Sequence, residues 1–137
     1  MKIVFADTLY WLAIVIPRDQ WREPAKRAKA ALRAAILVTT DEVLAEFLNM
    51  LSGRGHRLRQ AGVKMVRAIM DNPNVRVIAQ SRDSFLRALD LYKAREDKGY
   101  SLTDCSSMNT MKQEGVEEIL TNDDHVEKEG FVVLIKK

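Results

Sequence analysis

The segment ILVTTDEVLAEFLNML, residues 36–51, changes its hydrophobic period near its midpoint. Its first five residues form an apolar, β-branched run that is typical of a buried strand. From Asp41 onward the apolar residues recur at helical spacing, and Ser52-Gly53 ends the pattern. The helical positions are Val43, Leu44, Phe47, Leu48 and Leu51. A strand that passes directly into an amphipathic helix indicates an α/β fold.

The rest of the chain repeats this alternation of strands and helices. Further strands are predicted at KIVFAD (2–7), VRVIAQ (75–80), EEILTND (117–123) and FVVLIKK (131–137). Helices are predicted at TLYWLAIVIP (8–17, helix or turn), WREPAKRAKAALRAA (21–35), about 61–70, SRDSFLRALDLYKARED (81–97) and SLTDCSSMNTMKQEG (101–115), with an exposed basic turn at GRGHRLRQ (53–60). Because such alternation favours parallel strands joined by right-handed crossovers, we expect a doubly wound, mainly parallel sheet of about five strands. The predicted fold is a single three-layer α/β/α domain over residues 1–137.

Composition excludes several classes of protein. A chain of 137 residues that is 47% hydrophobic fits one compact domain with a real core. The longest apolar run, LYWLAIVI (9–16), is too short to cross a bilayer, and no export signal opens the chain, so we expect a cytoplasmic protein without a membrane partner. The single cysteine, Cys105, rules out an internal disulfide and a cysteine-cluster zinc site. We expect it to pack in the core; pairing with His56 or His125 as a nucleophile is the disfavoured alternative.

Acidic residues follow several of the predicted strands. Asp7 follows the first strand, Asp41 and Glu42 follow the second with Glu46 one turn later, and Asp123 and Asp124 follow the fourth. Because sites in open parallel sheets lie outside the carboxyl ends of the strands, we expect these carboxylates at one rim. Any one of them could instead cap a helix or form a turn. Together they would repel one another unless a cation were bound, and oxygen ligands favour Mg²⁺ or Mn²⁺ over zinc.

Asp104 belongs to the same rim by a different argument. It stands on the side of its predicted helix that carries Cys105, Met108 and Met111, a side meant for burial. A cap at Ser101 or Thr103 would explain an acid near a helix start, but not one that is turned inward. We therefore expect Asp104 to face the carboxyl edge of the sheet.

Two glutamates on the helix after strand two compete for a place in the site. Thr39 followed by Glu42 matches a capping box, which gives Glu42 a structural role. Glu46 lies nearer the apolar stripe, and we assign Glu46 to the site. Whether Glu42 or Asp124 also contributes stays open.

These residues resemble the PIN-domain family, in particular the VapC-like ribonuclease toxins and their relatives, across nearly the whole chain. The motifs that carry the resemblance are VFADTLYWLA (4–13), VTTDEVLAEFLNML (38–51) and SLTDCSSMNTMKQEGVEEILTNDDHVEKEGFVVL (101–134). The resemblance implies a metal-dependent endoribonuclease whose catalytic and metal-binding acids are Asp7, Glu46, Asp104 and Asp123, supported by Thr8, Thr103 and Thr121. It also implies Mg²⁺ or Mn²⁺ as cofactor, an RNA substrate, a small cognate antitoxin and a homodimer. Val126 stands where the family usually has an aromatic residue.

Basic residues supply candidate RNA contacts. Setting aside the four proposed ligands leaves 15 acidic residues against the 22 basic ones, an excess that can meet phosphates. The candidates are Arg54, Arg57 and Arg59, with Arg22, Lys26, Arg27 and Lys29 as a second patch. A solvated charged face is the alternative for both patches.

Two other functions fit parts of the pattern. A non-catalytic nucleic-acid or protein-binding module would share the fold, although it would not need all four acids. A receiver-like phosphoacceptor domain would need an Asp after strand three, where Gln80-Ser81 stands. We therefore predict the ribonuclease.

Overall fold

The computed structural model describes residues 1–137 and contains a single sheet flanked by helices. The strands are β1 (Lys2–Ala6), β2 (Ala35–Thr40), β3 (Val75–Ile78), β4 (Glu118–Leu120) and β5 (Val132–Val133). The helices are α1 (Thr8–Val15), α2 (Arg22–Ala31), α3 (Asp41–Leu51), α4 (His56–Asp71), α5 (Arg82–Ala94) and α6 (Leu102–Glu114), with a 3₁₀ helix, η1 (Asp124–Glu129), before β5.

All five strands are parallel, in the order β3-β2-β1-β4-β5. β1 is central: Phe5 is in register with Val38 of β2 on one side and with Ile119 of β4 on the other. The chain thus moves outward from β1 to β3, then returns to the opposite side of β1 for β4 and β5. The predicted doubly wound α/β/α fold is confirmed. Its topological switch point, where such folds place their sites, lies between β1 and β4.

The core explains why the strands are read so easily from the sequence. Val4, Phe5, Ala6 and Val38 have no exposed surface, because helices cover both faces of a parallel sheet. Cys105 is fully buried in the same core, and desolvation, aided by Asp104, raises the pKa of its thiol. A thiol held in its neutral form is a poor nucleophile, in keeping with the expected packing role.

The exposed basic turn predicted at residues 53–60 is shorter in the structure: residues 53–55 form the turn, and the remainder belongs to α4. Helix α4 begins at His56 rather than near Ala61, after a tight turn in which Gly55 has a φ of 94°. Basic residues in a first turn oppose the helix dipole, so the sequence reads as a loop there. Packing overrides this preference, because Leu58 lies against the core and Arg59 Nη1 donates to the Ser52 carbonyl at 3.0 Å.

The boundary between α2 and β2 also differs from the prediction. The helix stops at Ala31 because Arg33 adopts a left-handed conformation with a φ of 56°, and Ala35 begins the strand instead of lying on the helix. None of the helices is both long enough and apolar enough to cross a bilayer.

Candidate active site

A cleft of about 200 Å³ opens at the carboxyl edge of the sheet, at the switch point. Its wall contains the four carboxylates predicted as metal ligands, each delivered by a different part of the chain, but not Asp41, Glu42 or Asp124. The lining residues are Asp7, Thr8, Leu9, Leu12, Glu46, Met50, Asp104, Thr121 and Asp123. The ends of β1 and β4 are held together beneath it, where Asp7 N–H donates to the Leu120 carbonyl at 3.3 Å.

Asp7 stands at the carboxyl end of the central strand, β1. It joins β1 to α1, and its half-buried side chain makes no capping hydrogen bond to that helix. Desolvation is the main reason why the pKa of its carboxyl rises from the ordinary 3.8 to about 7, and the charges of Asp104 and Glu46 add to the rise. The Thr8 amide and the Thr121 hydroxyl lower it in part. A carboxyl shifted in this way is typical of a site that is built for a cation.

The start of α3 differs from the capping box predicted there. Thr40, not Thr39, caps the helix, since its side chain accepts from Val43 N–H at 3.1 Å. Thr39 is one residue too early and fully buried, where its hydroxyl donates to the Ala6 carbonyl at 3.0 Å and accepts from Trp11 Nε1. The adjacent threonines cannot be ranked by sequence, because either has the right chemistry for a cap.

The two glutamates of α3 nevertheless take different places. Glu42 accepts a hydrogen bond of 2.6 Å from Ser106 Oγ, so it ties α3 to α6 rather than closing a capping box. Glu46, one turn further on, lines the cleft. Glu42 does not line it, although it borders a neighbouring depression.

Asp104 has one oxygen in a cap and also lines the cleft. Ser101 is the N-cap of α6: its Oγ accepts from Asp104 N–H at 3.0 Å, and Asp104 Oδ2 accepts from Ser101 N–H at 3.0 Å. This reciprocal capping box leaves Oδ1 with no protein hydrogen bond. The structural and functional interpretations of Asp104 are therefore compatible, because a carboxylate has two oxygens.

Asp123 stands at the turn that leaves β4. Its amide donates to Thr121 Oγ1 at 3.2 Å, and its Oδ1 accepts from the amide of His125 at 3.0 Å. The same oxygen lies 3.0 Å from His125 Nδ1. The ligand atoms of Asp123, Asp124 and His125 all fall within 4.8 Å of one another, but Asp124 does not line the cleft.

The sequence analysis missed the contact between His125 and Asp123. The only signal was a histidine two residues beyond Asp123 in TNDDHV. This spacing indicates a contact once it is known that Asp123 is the N-cap of η1.

A partly buried polar cluster connects the Asp104 and Asp123 segments. Glu129, at the end of η1, is 9% exposed and accepts from Arg95 Nε at 3.2 and 3.3 Å and from the Tyr100 hydroxyl at 3.1 Å. The hydrogen bond from Arg95 is the main cause that lowers the pKa of the Glu129 carboxyl. Since Tyr100 precedes the cap of α6, this cluster fixes the start of α6 against the segment that follows Asp123.

The three predicted supporting threonines are not equivalent. Thr8 and Thr121 are buried and line the cleft. The Thr8 hydroxyl has no hydrogen-bond partner in the protein. Thr103 lies outside the cleft, in the depression that shares Glu46 with it.

The residues present fit a divalent cation. The four carboxylates are hard oxygen donors, two of them raise the pKa of Asp7, and a buried hydroxyl at Thr8 lacks a partner beside them. A positive ion in the cleft would offset the repulsion among the carboxylates, favour the ionised form of Asp7 and give the Thr8 hydroxyl oxygen a partner.

The predicted basic contacts do not enter the cleft. Arg54, Arg57 and Arg59 are exposed around the turn between α3 and α4. Lys26 and Arg27 are exposed on α2. Arg22 and Lys29 are half-buried, and Arg22 donates to the Ile14 carbonyl. Neither patch shares a lining residue with the acidic cleft.

Comparisons with known proteins address the family and the fold. The model of the PIN domain family matches residues 4–131. The chain is 28% identical over 131 residues to the 23S rRNA-specific endonuclease VapC20 of Mycobacterium tuberculosis, covering 95% of this chain and 96% of that protein. The crystal structure of M. tuberculosis VapC20, described as a sarcin-ricin loop cleaving toxin, superposes with a TM-score of 0.83 at 26% identity over 94% of this chain and 96% of that one. FitAcB from Neisseria gonorrhoeae, at 13% identity and a TM-score of 0.65 over 96% of both chains, shares the fold.

Proposed function

This chain belongs to the PIN-domain family, and on that premise we propose that it is an endoribonuclease that requires Mg²⁺ or Mn²⁺. The observation that carries the proposal is the convergence of Asp7, Glu46, Asp104 and Asp123, from four separate segments, on one cleft at the switch point of the sheet.

The four carboxylates would hold the metal, and three of them are positioned by contacts around them. The capping box fixes Asp104, α3 presents Glu46 from a rigid helix, and two hydrogen bonds fix the Asp123 turn: the Asp123 amide donates to Thr121 Oγ1, and the His125 amide donates to Asp123 Oδ1. When bound, the cation supplies Lewis acidity at a phosphate oxygen and lowers the pKa of a water molecule. Leu9 and Leu12 form an apolar side of the cleft, which limits water and strengthens the electrostatic interactions within it.

The test of this proposal is cleavage of RNA by purified protein with Mg²⁺, with Mn²⁺ and with a chelator. We expect cleavage only with metal, and a loss of about a hundredfold or more in Asp7→Asn and Asp123→Asn. Asp90→Asn, an exposed aspartate on α5, is the matched control and should cut at the native rate. A native protein that binds RNA but never cuts it would favour the non-catalytic binding module.

Ribosomal RNA is the first substrate to try. VapC20, which this chain resembles along its length, acts on 23S rRNA, and its crystal structure is described as that of a sarcin-ricin loop cleaving toxin. We propose an RNA substrate of this kind for the present chain. A synthetic sarcin-ricin loop and an unrelated hairpin of equal length, offered together, would show whether the preference is shared.

The same resemblance supports a role as the toxin of a toxin-antitoxin pair in the cytoplasm, with a small cognate antitoxin and a homodimeric toxin. Co-expression with the product of the adjacent reading frame should yield a complex that no longer cuts RNA. Light scattering of the toxin alone should give twice the mass of one chain; a monomer would contradict the dimer.

Arg54, Arg57 and Arg59 remain our proposed contacts to RNA phosphates outside the cleft. Arg54 and Arg57 form no ion pair or side-chain hydrogen bond in the protein, so both are free to meet a phosphate. Each phosphate contact that is removed should reduce the slope of log K against log salt by about 0.7 for a single strand. Arg54→Gln and Arg57→Gln with an unchanged slope would assign these residues to a solvated face.

A further inference from the structure

A second depression, of about 300 Å³, adjoins the acidic cleft. It shares Glu46 and Met50 with the cleft, so the two form a continuous surface. The wall also includes three uncharged polar residues, Asn49, Gln80 and Thr103. A polymer whose phosphate lies against the four acids would therefore place a neighbouring unit in this depression.

The chemistry of the wall suits a nucleobase. The side chains of Asn49, Gln80 and Thr103 take part in no hydrogen bond within the protein, and together they offer both donors and acceptors. Met50 is 54% exposed and presents an apolar, polarisable surface to one side. Single-stranded RNA is recognised in this way, by contact with the face of an unstacked base and hydrogen bonds to its edge.

A phosphate group is a poor match for the same wall. No lysine or arginine lines it, whereas Glu42 and Glu46 do. A phosphate would be repelled by these carboxylates, but a base edge carries no charge. The amino groups of bases can also donate to a carboxylate oxygen.

The backbone that carries these side chains is held in position. Asn49 follows Glu46 by three residues, so both lie on the same side of α3. The backbone N–H of Gln80 donates to Asp41 Oδ2 at 2.9 Å. This bond holds the segment that follows β3 against the start of α3. The backbone positions of Asn49 and Gln80 are thus set before RNA binds, and only their exposed side chains need to be ordered by a base.

We propose that this depression binds the base of the nucleotide next to the scissile phosphate, and that Asn49 and Gln80 determine which base is accepted. The inference rests on the proposed ribonuclease function and deepens it, because it assigns sequence selectivity to residues outside the acidic cleft.

The test is cleavage of a randomised RNA pool, followed by sequencing of the cut ends. The native protein should prefer certain bases at one position beside the cut. In the double variant Asn49→Ala, Gln80→Ala that preference should fall by about 10- to 100-fold. A wrong base leaves the polar groups of Asn49 and Gln80 unpaired in the native protein, and this cost is absent once both side chains are replaced. Gln60→Ala, an exposed glutamine on α4 outside the depression, is the control and should keep the native preference. An unchanged profile in the double variant would overturn the inference.

A binding measurement separates failure of this inference from failure of the proposed function. Homohexamers of A, C, G and U are titrated against Asp104→Asn protein, with and without the two alanines. We expect affinities that differ among the four RNAs and become equal once Asn49 and Gln80 are replaced. If the native protein cuts no RNA, the ribonuclease proposal fails. Equal affinities of the Asp104→Asn protein for all four homohexamers would overturn the base pocket, whether or not the native protein cuts RNA.

Discussion

Asp7→Asn should stabilise the metal-free protein at neutral and alkaline pH. Desolvation, with the charges of Asp104 and Glu46, raises the pKa of the Asp7 carboxyl from 3.8 to about 7. Between these two values the folded protein holds a proton that the unfolded chain has released. The free energy of unfolding therefore falls as the pH rises through this window, and the loss is complete above the folded-state pKa. An asparagine does not titrate and escapes the loss.

The magnitude follows from the size of the shift. A rise from 3.8 to about 7 corresponds to about 4 kcal/mol, because one pKa unit is worth about 1.36 kcal/mol. Asp7 keeps part of its solvent contact, so we expect Asp7→Asn to gain about 2 to 4 kcal/mol at pH 8. This would move the urea midpoint upward by about 1 to 2 M. At pH 4 the difference between the two proteins should largely vanish.

The assay is urea denaturation in a chelator at pH 4, 6 and 8, repeated with Mg²⁺ at pH 8. Metal should stabilise the native protein by about 2.7 kcal/mol at a hundredfold excess over its dissociation constant, and should stabilise Asp7→Asn much less. Asp90→Asn controls for the loss of one negative charge, since it lies exposed on α5. A variant that is less stable than the native protein at pH 8 in chelator would refute the reasoning, as would a difference that does not depend on pH.

Glu46→Gln should lower metal-dependent cleavage by about a hundredfold or more with little change in stability, measured by RNA cleavage and urea denaturation. Glu42→Gln should instead cost about 1 kcal/mol, because it weakens the hydrogen bond from Ser106, and should leave cleavage measurable; the reverse pattern would exchange the roles of the two glutamates. Tyr100→Phe should cost about 1 kcal/mol, because it removes the hydroxyl bond to Glu129, and should weaken Mg²⁺ binding in a calorimetric titration; unchanged affinity would show that this cluster does not set the spacing of the acids.

The fold was predictable because its central strands, β1 and β2, are largely buried on both faces. Runs such as Ile36 to Val38 have no polar interruption, and the helices between them force parallel pairing. The order of the strands in the sheet was not predictable, because right-handed crossovers allow several doubly wound orders. Local failures occurred where tertiary contacts override local preference. At His56 the basic first turn of α4 is tolerated because Leu58 packs against the core.

The candidate site also has a part that could be predicted from the sequence and a part that could not. The placement of acids after strands could be reasoned from topology, because parallel strands all deliver their carboxyl ends to one edge. Contacts between side chains from distant segments could not be predicted from the topology. The bond from Ser106 to Glu42 spans 64 residues, and that from Tyr100 to Glu129 spans 29. No local pattern encodes such pairs, so the capping box predicted between Thr39 and Glu42 was wrong, and the contact of Glu42 with Ser106 was missed.

Asp104 shows why an acid can be both structural and functional without conflict. Its Oδ2 satisfies the Ser101 amide, which would otherwise be an unpaired donor at the start of α6. That bond also restricts rotation of the carboxyl group, so the position of Oδ1 is set before any cation arrives. A ligand that is already oriented loses little entropy on binding, so under the proposed function the capping box would contribute to metal affinity as well as to helix stability. The inward carboxylate is thus explained by both of its oxygens: one is used by the helix, and the other remains available at the cleft.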